Sequence, residues 1–231
     1  DMPTELPESL VLDVFLPRED TSDRLLTRDG ASLSQLPEGS VLGTSSLRRA
    51  ALIRHLRPDI HIVDIRGNVD TRMSKVHAGS VDATILASAG LNRLSIETNA
   101  AKLTAPDFPP APGQGAIAIE RRAADDEMGA FLAPLNHDAT KTALVCERAF
   151  LAKLDGSCRT PMAAHAQVSD EQVVLAATIL GADGQDRLDA QGEAGEDEAH
   201  ALGERIAEDL LAQGARAILD RPLPGQTNSS A

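Results

Sequence analysis

The 231-residue chain contains very few aromatic residues: it has four Phe and neither Tyr nor Trp. Proteins that bind single-stranded nucleic acid stack bases on aromatic side chains, and this chain has almost none for that purpose. Its 35 acidic residues outnumber its 22 basic residues, and the resulting net charge of −13 repels a phosphate backbone. We therefore expect no nucleic-acid partner, and a core built from Leu, Ile, Val and Ala.

Long apolar runs and cysteines are also scarce. No apolar run reaches the roughly 18 residues of a transmembrane helix, and the first residues show no signal-peptide pattern, so we expect no membrane partner. Two cysteines do not make a disulfide framework, which favours a reducing cytoplasm. The chain opens "DMPTELPESL" without an initiator methionine, and these residues are typical of the middle of a domain. We expect the chain to be a fragment.

The first half of the chain alternates strand and helix patterns. "SLVLDVFLP" (9–17) predicts a strand, and the polar, turn-rich residues 18–40 predict a connecting segment. Strands are then predicted at 40–46, 59–67 and 81–88, and helices at 46–58 and 68–79, with a third helix starting at 89. Strands that alternate with helices in this way predict a parallel α/β sheet.

A Pro-rich stretch at 105–120 divides the chain, and its end "GAIAIE" predicts a strand. A helix is predicted over 137–156, capped by Asp138 or Thr140 and ended by Gly156. Its apolar face consists of Ala143, Cys146, Phe150 and Leu154. Two strands (162–168 and 172–184), a polar stretch, a helix (196–214) and a disordered tail complete a small predicted α+β domain.

Positive charge is concentrated in residues 41–93, where eight Lys/Arg face four Asp, a net charge of +4 in an acidic chain. Arg48 and Arg49 fall in the first turn of a predicted helix, where positive charge opposes the helix dipole. Arg66, Arg72 and Arg93 follow predicted strands, whose carboxyl ends face one crevice in an open parallel sheet. We expect these guanidinium groups, with nearby hydroxyls, to bind an anion that has several carboxylates or phosphates.

Two other interpretations of the arginines remain open. Surface arginines are often solvated or paired with acidic neighbours. A nucleotide is the rival ligand, but "GTSSLRR" lacks the spacing of a P-loop and no GxGxxG follows a strand. A polycarboxylate fits better.

The two cysteines differ in their surroundings. Cys146 lies on an apolar helix face with Phe150 one turn later, which indicates a buried structural thiol. Cys158 lies in the loop "DGSCRTP" beside Arg159, a setting that lowers a thiol pKa and is typical of a nucleophile or attachment site. The six His and two Cys show no metal-ligand spacing.

Five motifs follow one another in the order found in one family: "GTSSLRR", "IRGNVDTR", "DATILASAGLNRL", "PAPGQGAIAIE" and "ERAFLAKLDGSCRTP". From Asp1 to about Leu219 the chain resembles the hydroxymethylbilane synthases, also called porphobilinogen deaminases. These transferases of porphyrin and heme biosynthesis join four porphobilinogen molecules, with loss of ammonia, into the linear tetrapyrrole hydroxymethylbilane. They build it on a dipyrromethane cofactor held by a thioether to a loop cysteine.

The resemblance implies a role for particular residues. Cys158 matches the cysteine that carries the cofactor, and Asp1 in "DMPTELP" matches the catalytic aspartate of the family's KDxP motif. Residues that match the family's cofactor- and substrate-binding groups are Thr44, Ser45, Ser46, Arg48, Arg49, Arg66, Gly67, Arg72 and Arg93. Each pyrrole ring carries an acetate and a propionate, which would explain the cationic crevice.

The resemblance also implies an architecture: an α/β fold with a doubly wound sheet similar to periplasmic binding proteins, plus a small C-terminal α+β domain. Residues 1–17 would be a remnant of domain 1, 18–110 domain 2, 111–136 the return segment of domain 1, and 137–231 domain 3. We expect a monomer. Without the rest of domain 1, the 231-residue chain is expected to lack deaminase activity, and the alternative function is a non-catalytic polycarboxylate-binding module.

Overall fold

The computed structural model describes residue 4, residues 6–154 and residues 160–221. Within these residues the strands form three sheets, of two, five and three strands. The predicted helix end at Gly156 and the tail from 222 onwards lie outside the described residues. None of the described helices has the length and hydrophobicity to cross a bilayer.

The five-stranded sheet contains the predicted α/β alternation. Its parallel part and helices are β3 (Val41–Gly43), α1 (Leu47–Leu56), β4 (His61–Val63), α2 (Val69–His77), β5 (Ala83–Ala87) and α3 (Ser88–Arg93). Strands β4 and β5 flank β3 and run parallel to it. Asn68 caps α2, because its side chain accepts a hydrogen bond from the Thr71 amide. The prediction of a parallel α/β core is confirmed.

The prediction that residues 18–40 only connect two elements is wrong. They contain β2 (Asp23–Thr27), which lies inside the sheet between β5 and β6 (Ala101–Leu103) and is antiparallel to both. Leu25 and Leu26 are both buried and belong to different apolar clusters. Because both faces of this short strand are covered, it shows no alternation of apolar and polar residues.

A two-stranded sheet joins distant parts of the chain. The predicted strands at 9–17 and within 105–120 appear as β1 (Leu10–Phe15) and β7 (Ala118–Arg122), which pair antiparallel with a bulge between Leu12 and Val14. Helix α4 (Asp126–Leu132) follows β7.

The remaining elements, here called the C-terminal unit, are α5 (Asp138–Lys153), β8 (Met162–Ser169), β9 (Gln172–Leu180), β10 (Arg187–Gly195), α6 (Ala199–Ala212) and α7 (Ala215–Leu219). The strands form an antiparallel sheet in the order β10-β9-β8, with α5 and α6 packed against it. The predicted apolar face of α5 is confirmed, since its four residues are buried. Together with the five-stranded sheet, this unit gives the predicted combination of α/β and α+β architecture.

Two details of the C-terminal unit differ from prediction. Strand β10 occupies a stretch predicted as polar connection, because its small and polar side chains lie at the sheet edge and leave most of its residues accessible. Helix α5 is capped by His137 rather than by Asp138 or Thr140: the imidazole accepts a hydrogen bond from the Thr140 amide, with Nδ1 at 3.3 Å.

Candidate active site

One end of the five-stranded sheet gathers the residues singled out in the sequence. Strands β3, β4 and β5 finish there, and the antiparallel β2 begins there, with Asp23 opposite Ala87 of β5 and Leu103 of β6. The loops after β3 and β4 and the start of α3 therefore meet at the same edge as the first residue of β2. Ligands of open α/β sheets bind at such an edge.

The loop after β3 is fixed by its own hydroxyls. The Thr44 amide donates to the Val63 carbonyl at 2.9 Å, and the buried Thr44 Oγ1 accepts from the Ser46 amide at 3.2 Å. Ser46 caps α1, because its Oγ accepts from the Arg49 amide at 3.4 Å. Ser45 is exposed between them. The first turn of α1, with its amides that lack intrahelical acceptors, is thereby held at the sheet edge.

The arginine pair, Arg48 and Arg49, is bridged by one buried carboxylate. Asp23 Oδ2 accepts from Arg48 Nη2 at 2.8 Å, and Asp23 Oδ1 accepts from Arg49 Nη2 at 2.7 Å. The aspartate side chain is fully buried, and the two arginine side chains are 4% and 12% exposed. Two cations thus share one anion, so the trio of Asp23, Arg48 and Arg49 has an excess positive charge.

Neighbouring groups complete the setting of the pair. Arg48 Nη1 donates to the Pro109 carbonyl at 2.6 Å, and its guanidinium lies 5.8 Å from the centre of the Phe108 ring. Arg49 Nη1 donates to the Ile85 carbonyl at 3.2 Å. Gln114 lies in the Pro-rich stretch at 105–120, here called the Pro-rich crossing, and contacts the trio. Its Oε1 accepts a hydrogen bond from Arg48 Nη2, and its Nε2 donates one to Asp23 Oδ1.

The charges of the trio depend on one another. Burial alone would raise the pKa of Asp23, but Arg49 and Arg48 outweigh it and hold that pKa below its usual value. Burial lowers the pKa of Arg48, and the charge of Asp23 opposes this shift. The carboxylate is therefore ionised at neutral pH. Its negative charge offsets the desolvation cost of burying two guanidinium groups.

Two donors of the pair have no partner. Among the described residues, the buried side-chain polar atoms that lack a hydrogen bond are Arg48 Nε and Arg49 Nε. A buried N–H without an acceptor costs about 1–3 kcal/mol, and such an atom in a native structure calls for an explanation such as a bound water or ion, or a catalytic role. An anion with more than one carboxylate suits two cationic donors on one helix turn.

The other predicted arginines lie around this pair at different distances. Burial and the charge of Arg49 lower the pKa of Arg72, so Arg72 lies within electrostatic reach of the pair; its Nε donates to the Gly67 carbonyl at 3.0 Å. Arg66 is 86% exposed and pairs with Asp64 at 3.3 Å. Gly67 has φ of +126°, and a Cβ there would lie 2.6 Å from Thr71 Cγ2, which explains the glycine.

Arg93 contacts the residue that follows Gln114. Its Nη2 donates to the Gly115 carbonyl at 2.7 Å. Its charge also helps to lower the pKa of Glu19, after the larger effects of the Asp20 amide and the Asn92 side chain.

Comparison with known proteins decides the family. A sequence profile described as "Porphobilinogen deaminase, dipyromethane cofactor binding domain" matches residues 1–130, and one described as "Porphobilinogen deaminase, C-terminal domain" matches residues 141–212. The chain belongs to the porphobilinogen deaminase family. Members of this family are transferases of porphyrin and heme biosynthesis that use a dipyrromethane cofactor, so the enzyme interpretation is favoured over a non-catalytic binding module.

The chain is also similar to individual relatives and solved structures. The chain is 46% identical over 211 residues to a porphobilinogen deaminase of Nitrobacter hamburgensis, which covers 91% of the chain and 67% of the relative. Solved structures with similarity include a periplasmic binding protein of Salmonella typhimurium with high arginine specificity (18% identity, 53% and 55% of the chains, TM-score 0.34). Another is the periplasmic aliphatic sulphonate binding protein SsuA of Escherichia coli (14% identity, 96% and 73%, TM-score 0.38).

Two porphobilinogen deaminase residues predicted from the sequence, Asp1 and Cys158, lie outside the described residues. The other thiol is described: Cys146 is fully buried in α5, and burial, followed by the charge of Glu147, raises its pKa to about 12. A thiol of this kind stays protonated and inert. The prediction that Cys146 is a buried thiol is confirmed.

Sequence reasoning missed two polar residues that bind the arginine pair, Asp23 and Gln114. Asp23 lies in a segment predicted as a loop, and nothing local showed that it begins a central strand. Gln114 stands between Gly113 and Gly115 in the Pro-rich crossing. The Gly-Gln-Gly pattern was the available signal: both glycines have positive φ, and a Cβ on Gly115 would lie 2.5 Å from the Glu19 carbonyl oxygen.

Proposed function

We propose that the arginine pair binds the acetate and propionate groups of the dipyrromethane cofactor and of the growing oligopyrrole, in the conversion of porphobilinogen to hydroxymethylbilane. The observation that carries this proposal is the trio of Asp23, Arg48 and Arg49, which has excess positive charge and two buried Nε donors without acceptors. Arg72 and the amides of the first α1 turn add further donors at the same edge.

The chemistry of the ligand fits this set of donors. Each ring of a porphobilinogen-derived chain brings two carboxylates, so a chain of several rings is a flexible polyanion. A hydrogen bond to a charged group contributes about 1.5–3 kcal/mol, so several of them hold such a chain in register. Thr44, Ser45, Ser46, Arg66, Gly67 and Arg93 are proposed as further binding residues of the same ligand.

The cofactor is proposed to be attached through Cys158, because the other cysteine is buried, protonated and far from reactive. When bound, the cofactor supplies the primer that the substrate units extend. Asp1 is proposed as the catalytic carboxylate: it accepts hydrogen bonds from pyrrole N–H groups, stabilises developing positive charge and moves protons.

We also propose the domain division, with 18–110 as domain 2, 137–231 as domain 3, and 1–17 and 111–136 as parts of domain 1. A cytoplasmic enzyme without nucleic-acid partners fits the composition, and the family resemblance implies a monomer.

The test uses the parent protein, meaning this chain with any residues that precede it. Purified parent protein is supplied with porphobilinogen, and hydroxymethylbilane and ammonia are measured. Arg49→Ala is expected to impair cofactor assembly or chain growth, because one cation of the trio is lost. The control Arg122→Ala changes an arginine that is 82% exposed. Full turnover by Arg49→Ala would contradict the assigned role, and a parent protein that makes no hydroxymethylbilane would contradict the function.

A further inference from the structure

The turn between β9 and β10 lies directly on the last turn of α1. Arg54 Nη1 donates to the Ala182 carbonyl at 2.7 Å, and His55 Nδ1 donates to the Gly184 carbonyl at 2.9 Å. A Cβ on Gly184 would lie 2.6 Å from Arg54 Cβ and 2.7 Å from the His55 amide nitrogen. The turn and the helix are therefore in backbone contact, which only a glycine in this position permits.

Leu180, the last residue of β9, makes a second connection between the same two parts. Its fully buried side chain belongs to the apolar cluster formed by α1 and the five-stranded sheet, including Leu52 and Ile53. Its amide donates to the Pro161 carbonyl at 3.0 Å, and Pro161 is three residues beyond Cys158. One residue of the C-terminal unit thus contacts α1 and also binds the residue that precedes β8.

A third connection lies beside these two. Arg187, the first residue of β10, donates a hydrogen bond through Nη2 to the carbonyl of Pro106 at 2.7 Å. Pro106 lies in the Pro-rich crossing. Helix α1 has ten residues and is about 15 Å long. The β9–β10 turn contacts one end of this helix, and the arginine pair occupies the other end.

We propose that Leu180 and Gly184 are positioning residues that fix helix α1, and with it the arginine pair, relative to the C-terminal unit. The two residues act through α1 and do not touch the ligand. The catalytic consequence rests on the proposed function, whereas the mechanical link between the turn and α1 does not.

The first test compares two leucines of the same strand in the parent protein. Leu180→Ala removes a fully buried side chain at the contact with α1, and Leu175→Ala removes a fully buried side chain inside the C-terminal unit. Both variants lose stability by cavity formation. We expect kcat to fall about 10-fold to 100-fold in Leu180→Ala, because a misplacement near 1 Å can cost about 10²-fold, and to stay within about twofold in Leu175→Ala.

Hydrogen exchange gives a readout that needs no activity. In the folded 231-residue chain, Leu180→Ala is expected to speed exchange along the whole of α1, including the first turn that carries the pair, whereas Leu175→Ala leaves α1 protected. Leu180→Met, which conserves volume, is expected to restore both kcat and protection.

The second test uses glycines with matching backbones. Gly184 has φ of +78° and contacts α1, while Gly39 has φ of +77° and nothing within 4 Å of a built Cβ. Gly184→Ala and Gly39→Ala therefore add the same backbone strain, but only the first pushes the turn off α1. Reduced kcat in Gly184→Ala alone supports the proposal.

The outcomes distinguish failure of the positioning role from failure of the proposed function. Equal kcat and equal α1 exchange in each matched pair would overturn the positioning role, even if the wild-type protein makes hydroxymethylbilane. If the wild-type protein makes none, the proposed function fails, and the exchange results still decide whether the turn holds α1.

Discussion

Glu147, fully buried in α5, accepts hydrogen bonds from both terminal nitrogens of Arg18, from Nη1 to Oε1 at 2.6 Å and from Nη2 to Oε2 at 3.1 Å. The same carboxylate accepts from the Gly113 amide at 2.6 Å and from the Ala166 amide at 2.7 Å. One side chain therefore holds the segment after β1, the Pro-rich crossing and strand β8 together.

Glu147→Gln is expected to lower the free energy of unfolding by about 3–5 kcal/mol, because it leaves the 11% exposed Arg18 side chain without its counter-charge. Chemical denaturation measures the loss. Glu208→Gln serves as control, since its ion pair with Lys153 is partly exposed and is worth at most about 1 kcal/mol. Similar losses in both variants would show that the buried pair has no special role.

The buried Asp23 predicts a pH dependence of stability. Its lowered pKa means that the native state binds a proton more weakly than the unfolded chain, whose value is near 3.8. The stabilisation is therefore complete above about pH 3.8 and is lost as the pH falls through the lower native pKa. Asp23→Asn is expected to cost about 3–5 kcal/mol near neutral pH, where two buried guanidinium groups lose their partner.

Denaturation of wild type and Asp23→Asn across the acid range measures this dependence. The stability gap between the two proteins should narrow as the pH drops below about 3.8. Asp64→Asn, at a residue 60% exposed and paired with the exposed Arg66, is the control and should cost less than about 1 kcal/mol. A gap that stays constant with pH would mean that the Asp23 charge does not stabilise the fold.

The contact between α5 and α6 depends on Gly203. A Cβ at this position would lie 2.2 Å from the Cys146 carbonyl oxygen and 2.9 Å from the Phe150 amide nitrogen. Gly203→Ala is expected to destabilise the protein by about 1–3 kcal/mol or more, because backbone atoms must move apart. Gly90→Ala in α3, whose nearest neighbour is a Val69 methyl at 4.0 Å, should be tolerated in thermal unfolding. A stable Gly203→Ala protein would contradict the close helix contact.

The thiol of Cys146 should be inert in the folded protein. With a pKa of about 12 and no exposed surface, it offers almost no thiolate at neutral pH. Iodoacetamide followed by peptide mass mapping is expected to modify Cys146 only after denaturation. Rapid labelling in native buffer would place this residue in a different environment.

Sequence patterns predicted the parallel part of the sheet because β3, β4 and β5 alternate with helices at regular spacing. They also placed Arg48 and Arg49 in the first turn of a helix that begins near Ser46, which appears as α1. The patterns failed for β2 and β10, one a short strand covered on both faces and the other an accessible strand of small and polar residues. Strand β2 depends on partners distant in the chain, whereas β10 pairs with its neighbour β9 and lacks the apolar residues that would reveal it.

The same limit applies to the site. The sequence indicated that clustered arginines need an anion, but only the structure shows that Asp23, from an unpredicted strand, already supplies one. The arginines that follow separate strands were expected to converge, and Arg72 does lie near the pair, while Arg93 contacts the Gly115 carbonyl instead. A long arginine side chain can reach several acceptors, and the spacing of arginines along the sequence does not determine which of them it binds.

The central claim is that the dipyrromethane cofactor is attached at Cys158, and the mass of the intact parent protein tests it most directly. The wild-type protein is predicted to exceed its sequence mass by one dipyrromethane, Cys146→Ala is predicted to keep this increment, and Cys158→Ser is predicted to lose it. An increment that survives in Cys158→Ser would contradict the claim.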